Sequence, residues 1–302
     1  MGRRSFLEAL TDRVLLCDGA MGTQLQLRGM KPGECGELWN VSRPDEVRAI
    51  HAAYARAGCD LVTSNSFGAS AVSLKRHGLE SRVSELNLAA ARVAREAAGD
   101  DRYVLGDIGP LGELVEPFGD ISEEEARAAF VEQAAALAEG GVDALLVETM
   151  ADPNELSIAV RVAKSAASGL PVLATFTFSR GGGVFRTMMG TTIADAVAIA
   201  IDAGADVVGS NCGTSLSLND YLDLADELVS AAGKTPVILQ PNAGSPRQQD
   251  GKLVYDATPR DFAALVPAFL KTGLRVFGGC CGTTPEHLAA AREALTTGPA
   301  SQ

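Results

Sequence analysis

The sequence lacks several features that mark large classes of protein. Lysine and arginine number 26 against 38 acidic residues, and the formal net charge is −12. This balance argues against a nucleic-acid-binding surface, which needs a basic face. No apolar run approaches the length that crosses a bilayer, and Arg3 and Arg4 precede an acidic residue instead of the apolar core of a signal peptide. We therefore expect a cytoplasmic protein that binds neither nucleic acid nor membranes.

An interdomain linker is also missing from the sequence. The chain has 302 residues, of which 46% are hydrophobic, and this composition is typical of a globular protein with a large core. The length suits one α/β barrel, for which about 250 residues are typical. We predict a single domain over residues 1–302, with its core at about 14–295.

Short β-branched runs alternate along the chain with longer segments at helical spacing, and this alternation predicts repeated βα units. The predicted strands span 14–18, 61–65, 104–108, 144–148, 172–178, 207–211, 237–240 and 275–277. The predicted helices span 45–57, 84–97, 123–139, 154–166, 193–203, 218–231, 260–270 and 285–295. Eight strands suit a closed parallel barrel, so we predict an α/β fold with a single (β/α)8 TIM-type barrel. A doubly wound open sheet is the competing architecture.

Catalytic residues of such barrels lie at the C-terminal ends of the strands. The predicted strand ends are strongly polar: Asp18-Gly19, Asn65-Ser66, Asp107, Glu148-Thr149, Thr175 and Thr177, Asn211-Cys212, Asn242 and Cys280-Cys281. The glycine run 181–183 follows the fifth strand and is expected to be a flexible active-site loop. We expect His287 in the first turn of the last helix, and His51 and His77 on a helix surface and a loop surface.

Two adjacent thiols, Cys280 and Cys281, stand between glycines near the end of the chain. The glycines permit a backbone turn that brings two successive side chains to the same side. Alone, the pair is typical of thiols buried for packing. Because Cys212 ends the sixth predicted strand and the pair ends the eighth, three thiols converge on one rim. The remaining cysteines are assigned to packing: Cys17, Cys35 and Cys59.

Zinc favours a rim of this kind. Thiolates bind zinc at about 2.3 Å in tetrahedral geometry, and a catalytic site keeps a fourth position open. Three thiolates make the ion electron-rich, so it activates water poorly but holds a substrate thiolate well. A zinc-bound thiol ionises at neutral pH and stays nucleophilic, as attack on an electrophilic methyl group requires. The residues themselves therefore predict sulfur alkylation.

Four motifs occur in order at these strand ends: 18–23 (DGAMGT), 209–212 (GSNC), 241–244 (PNAG) and 278–285 (GGCCGTTP). On these motifs the chain resembles the homocysteine S-methyltransferase family over residues 14–287. The runs 109–117 and 146–149 make it most similar to the homocysteine-binding N-terminal module of cobalamin-dependent methionine synthase. The resemblance implies an enzyme that transfers a methyl group to the thiol of L-homocysteine and forms methionine.

The resemblance also implies roles for single residues. Cys212, Cys280 and Cys281 would bind zinc, with the homocysteine sulfur in the fourth position, which Asn242 would occupy without substrate. Asp18 and Glu148 would bind the substrate ammonium, and the backbone amides of Gly19 and Ala20 its carboxylate. The alternative is that Asp18 caps a turn and Glu148 pairs with a base. Two residues at the end of the second strand are further candidates for lining the pocket: Ser64 and Asn65.

The methyl donor is left open by the sequence. The sequence as given ends soon after the region of resemblance, so a folate- or cobalamin-binding module is not expected within it, and it is either a separate protein or a piece of a larger enzyme. A separate methylated corrinoid protein carrying methylcobalamin is one donor; S-methylmethionine or a betaine-type compound is another. One Trp and four Tyr leave few aromatics for a cation cage and favour the corrinoid. Selenocysteine or another thiol as acceptor, and a noncatalytic zinc- or amino-acid-binding barrel, are the remaining alternatives.

Overall fold

Eight parallel strands form the centre of the structure, a computed structural model that describes residues 3–249 and 252–297. In chain order they are β1 (Leu15–Leu16), β2 (Leu61–Thr63), β3 (Tyr103–Ile108), β4 (Ala144–Met150), β5 (Val172–Phe176), β6 (Val207–Asn211), β7 (Val237–Gln240) and β8 (Val276–Phe277). Each strand pairs with its neighbours in this order, and β8 pairs with β1. A bridge between Cys17 and Leu61 joins β1 to β2, so the barrel is nearly closed and the predicted fold class is confirmed.

Most helices follow the strands and cover the outside of the barrel, whereas the first helix precedes them. They are α1 (Phe6–Asp12), α2 (Met21–Leu27), α3 (Trp39–Ser42), α4 (Pro44–Arg56), α5 (Ala71–Lys75), α6 (Val83–Ala98), α7 (Glu123–Glu139), α8 (Pro153–Ala166), α9 (Ile193–Ala203), α10 (Leu218–Ala232), α11 (Pro259–Thr272) and α12 (Pro285–Thr297). A short 3-10 helix spans Glu80–Arg82. Local sequence fixes several starts: Ser122, for example, forms a capping box with Glu125 at the start of α7.

The barrel interior is filled with apolar side chains at the end opposite to the polar strand ends. Alternate strand residues such as Leu61, Leu105 and Leu146 form an interior cluster with Phe6 and Leu10 of α1. Helix α1 therefore closes the N-terminal end of the barrel. A fully buried Leu or Phe contributes about 1.5–3 kcal/mol, so this plug stabilises the fold and fills the N-terminal end of the barrel interior.

Two β-hairpins interrupt the alternation of strands and helices. The first pairs Ser179–Gly181 with Val184–Arg186, and its turn residues Gly182 and Gly183 have φ of +59° and +84°. Two successive positive φ values fit the tight turn of a hairpin and favour glycine. The run 181–183, expected to be a flexible active-site loop, therefore lies at the tip of a hairpin, and its flexibility stays a prediction. The second hairpin pairs Pro246–Gln249 with Lys252–Tyr255, after β7.

His51 does not lie on a helix surface as expected. It is fully buried on α4 beside Ile50 and Tyr54, and burial lowers its pKa to about 3. Its position four residues after Val47 places it on the apolar stripe of the helix. The face of α4 that carries Val47 packs against the barrel, and His51 lies on the same face, so its side chain is buried although it is polar.

Gly209 in β6 faces Ile238 in β7 across the sheet. A Cβ atom on Gly209 would overlap the carbonyl oxygen of Ile238, so the close approach of these two strands requires glycine. The next residues of β6 lead directly to Cys212, and those of β7 lead to Asn242.

Within the described residues, no helix combines the length and apolar character needed to cross a membrane.

Candidate metal and substrate site

Three thiols meet at the C-terminal end of the barrel. Cys212 follows β6, Cys280 and Cys281 follow β8, and their sulfur atoms all lie within 4.8 Å of one another. The Sγ atoms of Cys212 and Cys281 are 3.9 Å apart. Two sulfurs on a tetrahedral zinc ion, each at about 2.3 Å, are about 3.8 Å apart. The three half-buried side chains therefore have the spacing that a single soft metal ion requires.

The backbone around the thiols is held in uncommon conformations. Cys212 has a φ of +56°, which is rare for a residue other than glycine. The N–H of Cys280 donates to the carbonyl of Pro241 at 2.8 Å, and the carbonyl of Cys281 accepts from Ala243 at 2.9 Å. The loop after β8 is thus tied to the loop after β7, and this link turns both adjacent sulfurs toward Cys212.

The three thiols of the cluster differ in acidity. Hydrogen bonds from the thiols of Cys280 and Cys281 lower the pKa of Cys212 to about 3. Hydrogen bonding to Cys212 is also the leading cause that raises the pKa of Cys281 to about 11 and that of Cys280 well above its usual value. These hydrogen bonds therefore favour a negative charge on Cys212 over one on Cys280 or Cys281.

Asn242 lies buried beside the thiols. Its Nδ2 donates to the carbonyl of Gly213 at 3.2 Å, whereas its Oδ1 has no hydrogen-bond partner among the residues that the structure describes. A buried acceptor without a protein partner is open to a water, an ion or a ligand. The side chain is therefore suited to the predicted position at a metal.

Tyr221 of α10 was not predicted as part of the site. Its buried hydroxyl donates to the carbonyl of Cys212 at 2.5 Å and accepts from the N–H of Asn242 at 3.3 Å. One phenol thus connects the end of β6 to the end of β7. The sequence gives no signal for this role, since the residue lies on the buried face of an ordinary amphipathic helix.

Asp18 ends the first strand region and bonds to the end of the second. Its carboxylate accepts hydrogen bonds from the N–H of Thr63 at 2.8 Å and from the Thr63 hydroxyl at 2.7 Å. Burial raises the pKa of Asp18 to about 7. The nearby N–H of Ala20 donates to the Thr283 hydroxyl at 3.2 Å, so it would exchange this partner to bind a carboxylate. Gly19 lies against the same hydroxyl, where a side chain would clash.

Glu148 near the end of β4 belongs to a network built around Asn211. Nδ2 of Asn211 donates to Glu148 at 3.2 Å, and Oδ1 of Asn211 accepts from the N–H of Thr149 at 2.8 Å and from the Thr175 hydroxyl at 2.7 Å. Burial and the charges of Cys212 and Asp18 raise the pKa of Glu148 to about 8. Thr149 has a φ of +62°, an unusual conformation for a β-branched residue that this network holds in place.

Ser64 and Asn65 follow β2 and are held by neighbouring loops. The Ser64 hydroxyl lies 2.7 Å from that of Ser66 and accepts from the N–H of Asp107 at 3.0 Å. Asn65 donates to the carbonyl of Gly36 at 2.8 Å and to Asn40 at 3.1 Å. Both side chains thus fix the loops at the barrel mouth, and pocket lining stays a prediction for them. The three cysteines assigned to packing are buried: Cys17, Cys35 and Cys59.

Comparison with known proteins gives consistent relatives. The family model for homocysteine S-methyltransferase matches residues 15–295. Methionine synthase of Mycobacterium leprae (strain TN) is 35% identical over 93% of this chain and 24% of its own length. Methionine synthase of Mycobacterium tuberculosis (strain ATCC 25618 / H37Rv) is 34% identical with the same coverage. The chain thus spans about a quarter of the length of these relatives.

A solved structure shares the whole fold. The metallated form of the homocysteine methyltransferase MmuM from Escherichia coli has a TM-score of 0.77 and 26% identity, over 95% of this chain and 99% of that one. The family model covers nearly the whole barrel, from β1 into α12. Together with the ordered motifs at its strand ends, this match shows that the chain belongs to the homocysteine S-methyltransferase family.

Proposed function

We propose that the protein transfers a methyl group to the thiol of L-homocysteine and forms methionine. One observation carries the proposal: three sulfur atoms within 4.8 Å of one another stand at the barrel mouth, in the same layer of strand ends as the carboxyls of Asp18 and Glu148. A thiol-binding metal beside two ammonium acceptors suits an amino acid with a thiol. Membership of the homocysteine S-methyltransferase family supports this choice.

We propose that Cys212, Cys280 and Cys281 hold a zinc ion. Their spacing fits tetrahedral thiolate coordination, and the unpartnered Oδ1 of Asn242 supports a fourth ligand that a substrate can replace. When bound, zinc supplies the positive charge that ionises the substrate thiol near neutral pH while leaving it nucleophilic. The proposal includes a reducing, cytoplasmic compartment, since oxidised cysteines bind no metal.

The chain itself orients the amino acid in this proposal. Asp18 and Glu148 accept hydrogen bonds from the substrate ammonium, and each keeps free lone pairs beyond those used by Thr63 and Asn211. The turn at Gly19 and Ala20 offers backbone N–H groups to the carboxylate. Holding both ends of the amino acid fixes the thiol at the three cysteines, so the methyl acceptor is positioned before the donor arrives.

A methylated corrinoid protein is the methyl donor that we propose. The curated relatives are methionine synthases, and this chain spans about a quarter of their length. The few aromatic residues support a donor that needs no cation cage. Free sulfonium or betaine-type donors remain the alternatives for the same acceptor.

A donor screen with zinc-loaded protein tests the proposal. Homocysteine is supplied with methylcobalamin, a methylated corrinoid protein, S-methylmethionine or betaine, and methionine is quantified. We expect methionine from the corrinoid donors, no turnover by Cys281→Ala, and turnover by the matched Cys59→Ala variant, whose thiol is buried away from the cluster. If S-methylmethionine alone gave methionine, the proposed corrinoid donor would be wrong. Normal turnover and zinc content in Cys281→Ala would overturn the zinc site.

A further inference from the structure

Asp107 is an acidic residue at the barrel mouth that the proposed mechanism does not use. It lies in β3 opposite Leu146 of β4, and Leu146 belongs to the barrel-interior cluster together with Leu105. Side chains alternate along a strand, so Asp107, two residues after Leu105, projects into the barrel. Glu148 follows Leu146 by two residues and projects the same way. The two carboxyls therefore occupy adjacent strands on the inner wall.

The carboxyl of Asp107 is buried and lacks a hydrogen-bond partner on one oxygen. Asp107 is only 5% exposed, and its Oδ1 has no hydrogen-bond partner within residues 3–249 and 252–297. Its backbone is fully used: the N–H donates to Ser64 at 3.0 Å, and the carbonyl accepts from Ser66 at 2.8 Å. Because buried acceptors are normally paired, the free oxygen is available to a group that brings a hydrogen-bond donor.

Charge narrows the class of that ligand. Burial and the negative charges of Glu148, Asp18 and Glu37 raise the pKa of Asp107 well above its usual value. Neighbouring carboxyls disfavour one another's ionised forms. A cation placed among them favours those ionised forms. An alkylammonium has three N–H donors, which matches three carboxyls with spare acceptor capacity.

We propose that Asp107 completes a three-carboxyl pocket with Asp18 and Glu148 for the α-ammonium of the substrate, so that the site selects thiols that carry a protonated amine. This inference rests on the proposed function. Asp107 touches the substrate as a binding residue and takes no part in the transfer of the methyl group. Its removal therefore weakens binding of amino-acid thiols and leaves thiols without an amine unaffected.

Calorimetry on zinc-loaded protein tests this selectivity with two ligands, L-homocysteine and 4-mercaptobutanoate. The second has the same thiol, chain length and carboxylate without the amine. We expect Asp107→Asn to weaken homocysteine binding by about tenfold or more, the effect of one charged hydrogen bond. Binding of 4-mercaptobutanoate should change by less than about twofold. Asp107→Ser, which also removes the carboxyl, should give the same pattern.

Glu155→Gln provides the matched control. Glu155 is another buried carboxyl, but it lies on α8 and accepts from the N–H of Leu111 at 2.7 Å, so both ligands should bind its variant as they bind the wild type. The inference would be wrong if the Asp107 variants lost affinity equally for both ligands or lost none. Homocysteine binding by the wild type would still support the proposed function in that case. Absence of homocysteine binding to the wild type would instead overturn both.

Discussion

The buried hydroxyl of Tyr221 donates a 2.5 Å hydrogen bond to the carbonyl of Cys212, and this contact supports a cysteine in a left-handed conformation. We expect Tyr221→Phe to lower zinc affinity by about 10- to 100-fold, the usual effect of losing an outer hydrogen bond at a metal site. Competition with a chromogenic chelator measures the affinity.

Tyr103→Phe is the control for that variant. The Tyr103 hydroxyl also donates to a backbone carbonyl, that of Arg4 at 2.9 Å, but at the end of the barrel closed by α1. Loss of the Tyr103 hydroxyl at that end should leave the zinc affinity unchanged. Equal zinc affinities in wild type, Tyr221→Phe and Tyr103→Phe would show that the bond to Cys212 does not position the ligand.

Zinc removal should lower stability through the three cysteines. A ligand that binds only the folded state stabilises it by about 2.7 kcal/mol at 100 times its dissociation constant. We expect added zinc to raise the thermal midpoint of the wild type but not of Cys212→Ser. Cys35→Ser, at a buried thiol that bonds to Glu37 at 3.2 Å, should keep the zinc-induced shift. A shift retained by Cys212→Ser would place the metal elsewhere.

Asn211 should contribute to stability as well as to the site. Asn211→Ala removes the acceptor that the N–H of Thr149 and the buried hydroxyl of Thr175 share, and the Thr149 N–H keeps only its 3.3 Å contact to the Thr175 hydroxyl. A buried group left without its partner costs about 1–3 kcal/mol, so we expect a loss of about 1–3 kcal/mol, measured by urea unfolding. Asn154→Ala, at an exposed position of α8, should change stability little. Equal stabilities of the two variants would contradict the network.

Glu155 should make stability depend on pH. Burial raises its pKa from 4.5 to about 7, so the folded state holds this proton more tightly than the unfolded chain. Its contribution is fully present below pH 4.5 and is lost as pH rises through 7. Relative to Glu155→Gln, the wild type should lose about 3 kcal/mol across this window.

Urea unfolding at a series of pH values measures the difference between wild type and Glu155→Gln. Glu125→Gln is the control, because hydrogen bonds from Ser122 lower the pKa of Glu125 and its contribution must have the opposite sign, being lost as pH falls. A wild-type curve parallel to that of Glu155→Gln would show that the buried carboxyl does not titrate with folding.

Much of the barrel was predictable because its signals are local. The capping box at Ser122 and Glu125 marks the start of α7, and the predicted bounds of α7 and α9 match the structure. Strands β1 and β8 are shorter than predicted, at two residues each, because the chain turns there into the loops that carry Asp18 and Cys280. Where the apolar pattern of the sequence continues past the last hydrogen-bonded strand pair, sequence alone overestimates the length of the strand.

The site was predictable to the extent that its residues end strands. Cys212, Cys280 and Cys281 meet as expected from their places in the βα order. Tyr221 was not found, because its hydroxyl reaches the site from a helix. Asn211 was noted at a strand end but not assigned, since its three partners lie on two other strands. Such contacts depend on side-chain distances that only the closed barrel fixes.

Gly209 limits how the barrel mouth can adapt to other acceptors. The strands that lead to Cys212 and Asn242 leave no room for a side chain there, since a Cβ atom on Gly209 would overlap the backbone of Ile238. A single added methyl on Gly209 would therefore push the two strands apart. Engineering for bulkier thiols therefore begins with backbone spacing at a residue without a side chain, while the three clustered cysteines and the buried carboxyls stay as they are.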